Sequence, residues 1–368
     1  MFLTMKKRVA LTAVAALALT SAAACGGDKE TPATPGSTPE LTLRLGFAGA
    51  VLSPGAAMYT SLPDVLGFWA EDHLKVEITR VEGTAVALSA MVGGQMDLAV
   101  VSGEAVIPAI ADGQPFVIPY SLSQRGIVTV AARSDSAITG LAGLSGKNVG
   151  VPNLASGAVT FVKAGVAEAG GDPSTVKFVA IGTGAQAANA ITSKQVDAVA
   201  DTDTSVVSFQ QAGANLKVLD STVAGKLVIG VVAATTKDYL GKNKAAVEAW
   251  ARGVAKATEW MQAHPEDAVK LHYKKFPDTK PSGDDATVIA AGVAQVKARL
   301  QNVTASGGGS GPYGSIRTDQ LDYIIKYLTD NSVLKKPVTS AQVYDGSLID
   351  AINKWDRTAI RNTAAPSS

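Results

Sequence analysis

The sequence predicts an α/β protein of two similar lobes, a clam-shell in which each lobe is a parallel-rich sheet flanked by helices. Three observations carry this expectation. The stretch from Val76 to Glu104 recurs in outline one hundred positions later, so that Ala85, Ala87, Ala90, Gln95 and Asp97 fall without a gap on Ala185, Ala187, Ala190, Gln195 and Asp197. A second echo lies upstream, where LRLGF at Leu43 matches KNVGV at Lys147. A repeat of this size means two supersecondary units of one topology. Lastly, two apolar stretches, IVTVAAR from Ile127 and LVIGVVAATT from Leu227, read as strands that cross between the lobes and back.

The elements follow in order. Lys6, Lys7 and Arg8 precede an apolar run from Val9 to Thr20, too short to span a bilayer comfortably, and small residues lead into Cys25. This pattern resembles a bacterial lipoprotein signal, which implies a peptide over residues 1–24 and lipid on Cys25, the only cysteine of the chain. An ordinary secretory signal cut nearby is the other reading. Residues 25–40, rich in Gly, Pro, Thr and Glu, read as a flexible tether. The first lobe is expected over residues 41–125, with strands at Thr42–Phe47, Lys75–Val81, Met96–Val101 and Phe116–Tyr120 and helices at Pro54–Glu71, Thr84–Gly93 and Glu104–Asp112. The second, over residues 126–227, takes strands at Asn148–Val151, Val176–Ile181, Asp197–Ala200 and Leu216–Leu219. From residue 228 to 358 a return strand leads into helices that pack back on the first lobe. One of them sets Val247, Trp250, Val254, Ala257 and Met261 on a single face at helical spacing. Residues 359–368 are expected to be a disordered tail.

Composition narrows the function. Removing residues 1–24 takes away Lys6, Lys7 and Arg8 and changes the formal net charge from +1 to −2. No basic stripe remains, which excludes nucleic acid as a natural partner. With Cys25 at the anchor, no internal disulfide is available, and a hydrophobic content of 46% must supply the core.

In open parallel sheets, ligands sit where loops and helix N-termini converge at the carboxyl ends of strands. Six loops answer that description: FAGAVLSPG from Phe47, EGTA from Glu82, VSGEA from Val101, VPNLASGA from Val151, IGTGA from Ile181 and ADTDTS from Ala200. They supply the candidate ligand-binding residues Ser53, Thr84, Ala85, Ser102, Gly103, Glu104, Asn153, Ser156, Gly157, Thr183, Gly184, Asp201 and Asp203, joined by Tyr59 and by Arg125 at the first crossing. Short hydroxyls and free backbone N–H groups suit a small polar ligand, although the same residues serve equally well as helix caps. Glu104, Asp201 and Asp203 are acidic, and Arg125 is the only nearby base that the sequence places. A bare anion would meet uncompensated carboxylates there, so an aminated or zwitterionic ligand is expected. Hinges are expected near Gln124–Gly126 and Leu227–Val232.

The pieces GFWAEDHLKVEI from Gly67, VEGT and GGQMDLAV, GLSGKNVGVP, DYIIKYLTDNSVLKKPV from Asp322 and VYDGS from Val343 resemble the extracytoplasmic solute-binding proteins of ABC importers. The group is the NMT1/THI5-like one, which serves nitrate, sulfonates, taurine and thiamine-precursor pyrimidines. The resemblance covers nearly all of Leu41 to Trp355. It implies the type II periplasmic-binding-protein fold, a monomer on the extracytoplasmic face of the membrane, a small-molecule solute as ligand, a membrane permease as partner, and no cofactor.

Catalytic readings are thin. His73, His264 and His272 are scattered on or beside helices and are expected far from the six loops, and no cluster has metal-ligand spacing. Ser156 lacks the nucleophile-elbow pattern, and GGGSG from Gly307 lacks the Lys of a phosphate loop. An enzyme on the same scaffold and a ligand-sensing partner of a membrane signalling protein remain as alternatives to the transport receptor.

Overall fold

The computed structural model describes residues 40–49, 51–123, 125–154, 156–220, 229–303 and 311–366. The expected signal peptide, Cys25 and the tether lie outside them, as do Gln124 and the first two residues of the second expected hinge.

Each copy of the repeat builds one sheet. In the first, β1 (Leu41–Ala48) pairs in parallel with β2 (Leu74–Val81) on one side and β3 (Leu98–Val101) on the other. In the second, β6 (Asn148–Val151) pairs in parallel with β7 (Lys177–Ala180) and β8 (Ala198–Thr202). The crossing strands complete both sheets. Strand β5 (Val128–Arg133) enters the second sheet between β8 and β9 (Leu216–Val218), and β10 (Val232–Thr236) returns between β3 and β4 (Phe116–Ser121). The orders are β2-β1-β3-β10-β4 and β7-β6-β8-β5-β9, the same arrangement twice. Both crossing strands run antiparallel to their neighbours, so each sheet is mixed where the repeat taken alone reads as parallel.

The repeated Asp explains itself in the backbone. Asp97 accepts from the Arg44 amide at 2.8 Å, and Asp197 accepts from the Asn148 amide at 3.0 Å. Each carboxylate thus clamps the start of its own third strand to the first. The turn ahead of it needs a left-handed residue, and Gly94 and Lys194 stand there at φ 67° and 63°.

Helices α2 (Thr84–Val92), α3 (Gly103–Ala111), α4 (Gly157–Glu168), α5 (Gly184–Thr192) and α6 (Asp203–Gln211) follow the strands as the pattern anticipates. The helix expected over Pro54–Glu71 is broken. A 3-10 turn at Pro54–Tyr59, a short α1 (Leu62–Val65) and a second 3-10 turn at Ala70–Asp72 replace it. Pro63 has no amide to extend a helix backwards, and Gly67 turns at φ 75°. After β10 the chain is helical: α7 (Lys237–Lys242), α8 (Lys244–Ala263), α9 (Pro265–Lys275), α10 (Asp285–Val303) and α11 (Thr318–Asp330). Val247, Trp250, Val254, Ala257 and Met261 of α8 are wholly buried against the first sheet, in one cluster with Leu43 and Leu45.

A second apolar cluster runs without a break from Val101 and Ile107 of the first lobe to Val149 and Phe161 of the second, closed over by Leu321 and Leu328 of α11. The two sheets therefore share core, and residues 39–368 form one compact unit. The tail expected from residue 359 is ordered through its first part. Arg357–Arg361 is helical with Asp356 as its cap, Ile360 is buried, and the Thr363 carbonyl accepts from Trp260 Nε1 at 2.9 Å. An apolar Ile and an indole in want of an acceptor fasten it to α8.

Candidate functional site

The carboxyl ends of both sheets face one another, and the lobes touch along two seams. At the first seam, Ser102 and Glu104 at the start of α3 meet Gly157 at the start of α4. A Cβ on Gly157 would lie 3.9 Å from Ser102 Oγ and 4.0 Å from Glu104 Oε2. Ser102 Oγ donates to Glu104 Oε2 at 2.6 Å, and its amide donates to Thr84 Oγ1 at 3.2 Å. Burial raises the Glu104 carboxyl above its ordinary range, against the opposing pull of the Ser102 hydroxyl and the helix-start amide. Across the seam Ser156 caps α4 by accepting from the Ala158 amide. Tyr327 of α11 donates to the Thr160 carbonyl at 3.0 Å and adds a phenol beside Glu104.

At the second seam, the 3-10 turn after β1 meets the start of α6. A Cβ on Gly55 would fall 2.6 Å from the Thr204 methyl, so only glycine allows this approach. Helix α10 lies over both. Its Arg299, 4% exposed, donates through Nε and Nη2 to the Asp203 carboxylate, at 2.8 Å for the closest contact, and through Nη1 to the Tyr59 hydroxyl at 2.8 Å. Asn302 donates to the other Asp203 oxygen at 2.7 Å. Burial acts to lower the Arg299 pKa, but Asp203 and Tyr59 outweigh it and the guanidinium is held charged.

Asp201, two residues before Asp203, differs. It is 5% exposed, Oδ1 accepts from the Thr202 amide at 2.6 Å, and Oδ2 has no hydrogen-bond partner. Burial pushes its pKa up to about 6, with Asp203 adding to the shift while the Thr202 amide and Ser205 hydroxyl oppose it. A buried carboxylate oxygen without a donor is costly unless something else meets it.

The structure thus brings together Thr84, Ser102, Glu104, Ser156 and Gly157 at one seam and Tyr59 and Asp203 at the other. Gly103 has a backbone reason: its amide donates to the Ile229 carbonyl, and a Cβ would sit 2.3 Å from that oxygen. Ala85, Arg125, Asn153, Thr183 and Gly184 are exposed around the rim, and Ser53 precedes the 3-10 turn without capping it through its side chain. Four expectations change. The base near the acids is Arg299, since the Arg125 side chain is exposed and only its amide, donating to the Asn302 carbonyl, touches this region. Asp203 is committed to Arg299 and Asn302 and does not wait for a ligand amine. His272 is not remote from the loops: Nε2 donates to the Leu52 carbonyl at 3.1 Å and Nδ1 accepts from Ser61 Oγ at 2.8 Å, while burial lowers its pKa to about 4. Tyr59, expected among the ligand contacts, is buried, stacks on Phe47 at 6.2 Å and accepts from Arg299.

An open groove of about 1000 Å³ lies elsewhere, on the outer side between α9 and α10, lined by Tyr273, Ile289, Val293 and several lysines. None of the expected site residues lines it. The interlobe seams, where polar groups from both repeats converge, are the better candidate on chemical grounds. Among the described residues no group of three or more His, Cys, Asp or Glu is placed to hold a metal ion, and no helix is long and apolar enough to cross a membrane.

Two mixed sheets flanked by helices and joined by exchanged strands define the periplasmic-binding-protein fold. Residues 62–268, more than half of the chain, match the family described as NMT1/THI5 like, and the chain belongs to it. Solved structures agree on the fold. A protein from Bordetella bronchiseptica is 22% identical over 86% of this chain and 98% of its own, with a TM-score of 0.66. The alkanesulfonate-binding protein SsuA from Xanthomonas axonopodis, bound to MOPS, is 15% identical over 86% and 99%, with a TM-score of 0.61. The periplasmic nitrate-binding protein NrtA from Synechocystis is 14% identical over 89% and 92%, with a TM-score of 0.61. A comparison with curated protein sequences gives no match.

Proposed function

We propose that this chain is an extracytoplasmic solute-binding receptor of an ABC importer, which captures a small zwitterionic solute between its lobes and delivers it to a membrane permease. The observation that carries the reading is the first seam, where Ser102 and Glu104 of one repeat face the start of α4 in the other. A helix start presents N–H groups and the positive end of a dipole, which suit a sulfonate or carboxylate. Glu104 and the unpartnered Asp201 oxygen suit an amine. Asp203 adds no net charge because Arg299 neutralises it. The acidic excess is therefore smaller than the sequence suggests, and a zwitterion such as an aminosulfonate fits better than a plain cation. An aminopyrimidine of the thiamine-precursor type is the second ligand class that Glu104 and Asp201 accommodate. The sulfonate and nitrate receptors of the same fold support the solute-capturing role, and the MOPS held by one of them contains both a sulfonate and an amine.

On this reading the chain is a binder and not an enzyme, and it is held at the membrane by lipid on Cys25. Calorimetric titration of the full chain with taurine, ethanesulfonate, nitrate and an aminopyrimidine tests the proposal. Taurine should bind, and Glu104→Gln should weaken it by roughly 30-fold or more, the consequence of leaving a desolvated amine unpaired. Binding of nitrate alone, unaffected by Glu104→Gln, would refute the zwitterion reading.

A further inference from the structure

We infer that the Tyr59–Arg299–Asp203–Asn302 network is an interlobe latch that keeps the two lobes closed in the absence of solute and sets how fast solute enters and leaves. The inference rests on the receptor reading for its purpose but not for its test. Its parts come from three elements that no single lobe contains. Tyr59 ends the 3-10 turn after β1 in the first lobe, Asp203 opens α6 in the second, and Arg299 sits on α10, which packs on both. The guanidinium forks onto both carboxylate oxygens of Asp203 and spends its remaining nitrogen on the Tyr59 hydroxyl. Around it α10 adds further bonds to the second lobe: Gln295 Nε2 donates to Ser208 Oγ at 3.1 Å, and the Ala291 carbonyl accepts from Gln211 at 2.9 Å. The Asn302 carbonyl also holds the Arg125 amide at the first crossing, so the same turn of α10 grips the hinge side.

A salt bridge this deep brings little stability over an apolar contact of the same shape, but breaking it from one side leaves a buried charge uncompensated. Such a pair therefore resists partial separation: the lobes are fully docked at this seam or the ions are back in water. That is a two-state element of the kind that switching requires. The Tyr59 hydroxyl and the Asp203 carboxylate are used up by Arg299, so neither is free to recognise solute. Solute must enter through the opened form, so a latch closed before binding slows entry as well as exit.

The test begins without any solute. Small-angle X-ray scattering compares the full chain with Arg299→Met, Arg299→Lys and Tyr59→Phe, all carrying Cys25→Ser so that no lipid is attached. The wild type should scatter as the closed form, and Arg299→Met should show a larger radius of gyration. Should Arg299→Met fail to fold, Tyr59→Phe and Arg299→Lys carry the same comparison, since each keeps Asp203 a cationic partner. Stopped-flow titration with taurine then adds rates, where both the association and the dissociation rate constants should rise about tenfold in the variants. Identical scattering of wild type and every folded variant overturns the latch, as does a ligand-free wild type that is already open. If taurine fails to bind while the scattering changes as expected, the latch stands and the proposed solute class falls.

Discussion

The most exacting consequence of the site concerns Asp201→Asn. A carboxyl moved from the ordinary value of 3.8 to about 6 by burial is harder to ionise in the folded protein than in the unfolded chain. The difference of about two pH units corresponds to about 3 kcal/mol by which ionised Asp201 destabilises the fold at neutral pH. The direction follows from linkage: between pH 4 and 6 the folded state binds more protons than the unfolded one, so this contribution to stability falls as pH rises. Replacing the acid by its neutral isostere keeps the acceptor for the Thr202 amide and removes the charge. The variant should therefore be more stable than wild type at pH 8, by about 2–3 kcal/mol, and the advantage should shrink towards zero near pH 4. His272 works in the opposite sense. Its neutral form is required inside, its pKa is lowered to about 4, and its contribution is present above pH 6.5 and lost as pH falls towards 4. Because His272 is common to both proteins, the difference between their urea-unfolding free energies across pH 4 to 8 cancels it. A destabilised Asp201→Asn at pH 8, or a difference that does not change with pH, would refute a buried ionised Asp201. The same variant should lose taurine affinity by roughly 30-fold or more if Oδ2 accepts the solute amine. Greater stability with weaker binding is the signature of a strained functional group.

Other outcomes can be read singly. Gly103→Ala should cost about 1–3 kcal/mol or more by thermal unfolding, because its methyl would overlap the Ile229 carbonyl and neither backbone can withdraw cheaply. Asp97→Ala and Asp197→Ala should each destabilise by roughly 1.5–3 kcal/mol through a lost strand clamp. The first should cost more, since Asp97 also holds the Arg44 guanidinium; equal values in chemical denaturation would contradict that. Cys25→Ser should move the protein from membrane to soluble fraction on cell fractionation, and unchanged retention would show that the anchor lies elsewhere.

Much of the architecture was legible because the duplication is written in residues with structural duties. Asp97 and Asp197 stand one hundred positions apart since each clamps the same strand pair, and both sheets repeat one order. The direction of β5 and β10 was not legible, because an apolar run states that a strand is buried but not which way its neighbours run. The rule that sites gather at strand ends singled out Ser102, Glu104 and Gly157, and the structure brings these three together at the first seam. Arg299 was missed because it lies on a helix nearly one hundred residues beyond Asp203, outside every loop considered. A signal for it exists. On α10 the buried residues are Val288, Gly292, Val296, Arg299 and Val303, spaced as one helical face, and a lone arginine in such a stripe must find a buried anion. The break in the first long helix was likewise present in Pro63 and Gly67.

The two seams show what duplication leaves free to diverge. The loop after β1 meets the helix after β8, and the helix after β3 meets the one after β6; exchanging the repeats exchanges the seams. The residues at corresponding positions are nonetheless different in kind. Where the second lobe has Asp203, the first has Gly103, pressed against the Ile229 carbonyl with no room for a side chain. Where the first has Glu104, the second has Thr204, packed on Gly55. One seam thus received an acid that a buried arginine consumes, and the other kept an acid that accepts from a serine hydroxyl two residues away. Seams of equal charge and packing would make closure and recognition the same event. Unequal ones divide the work: the arginine seam fixes the distance between the lobes, and the serine–glutamate seam presents polar groups at that distance. Changes at Arg299 should therefore alter rates for every solute alike, whereas changes at Glu104 should alter which solute is held.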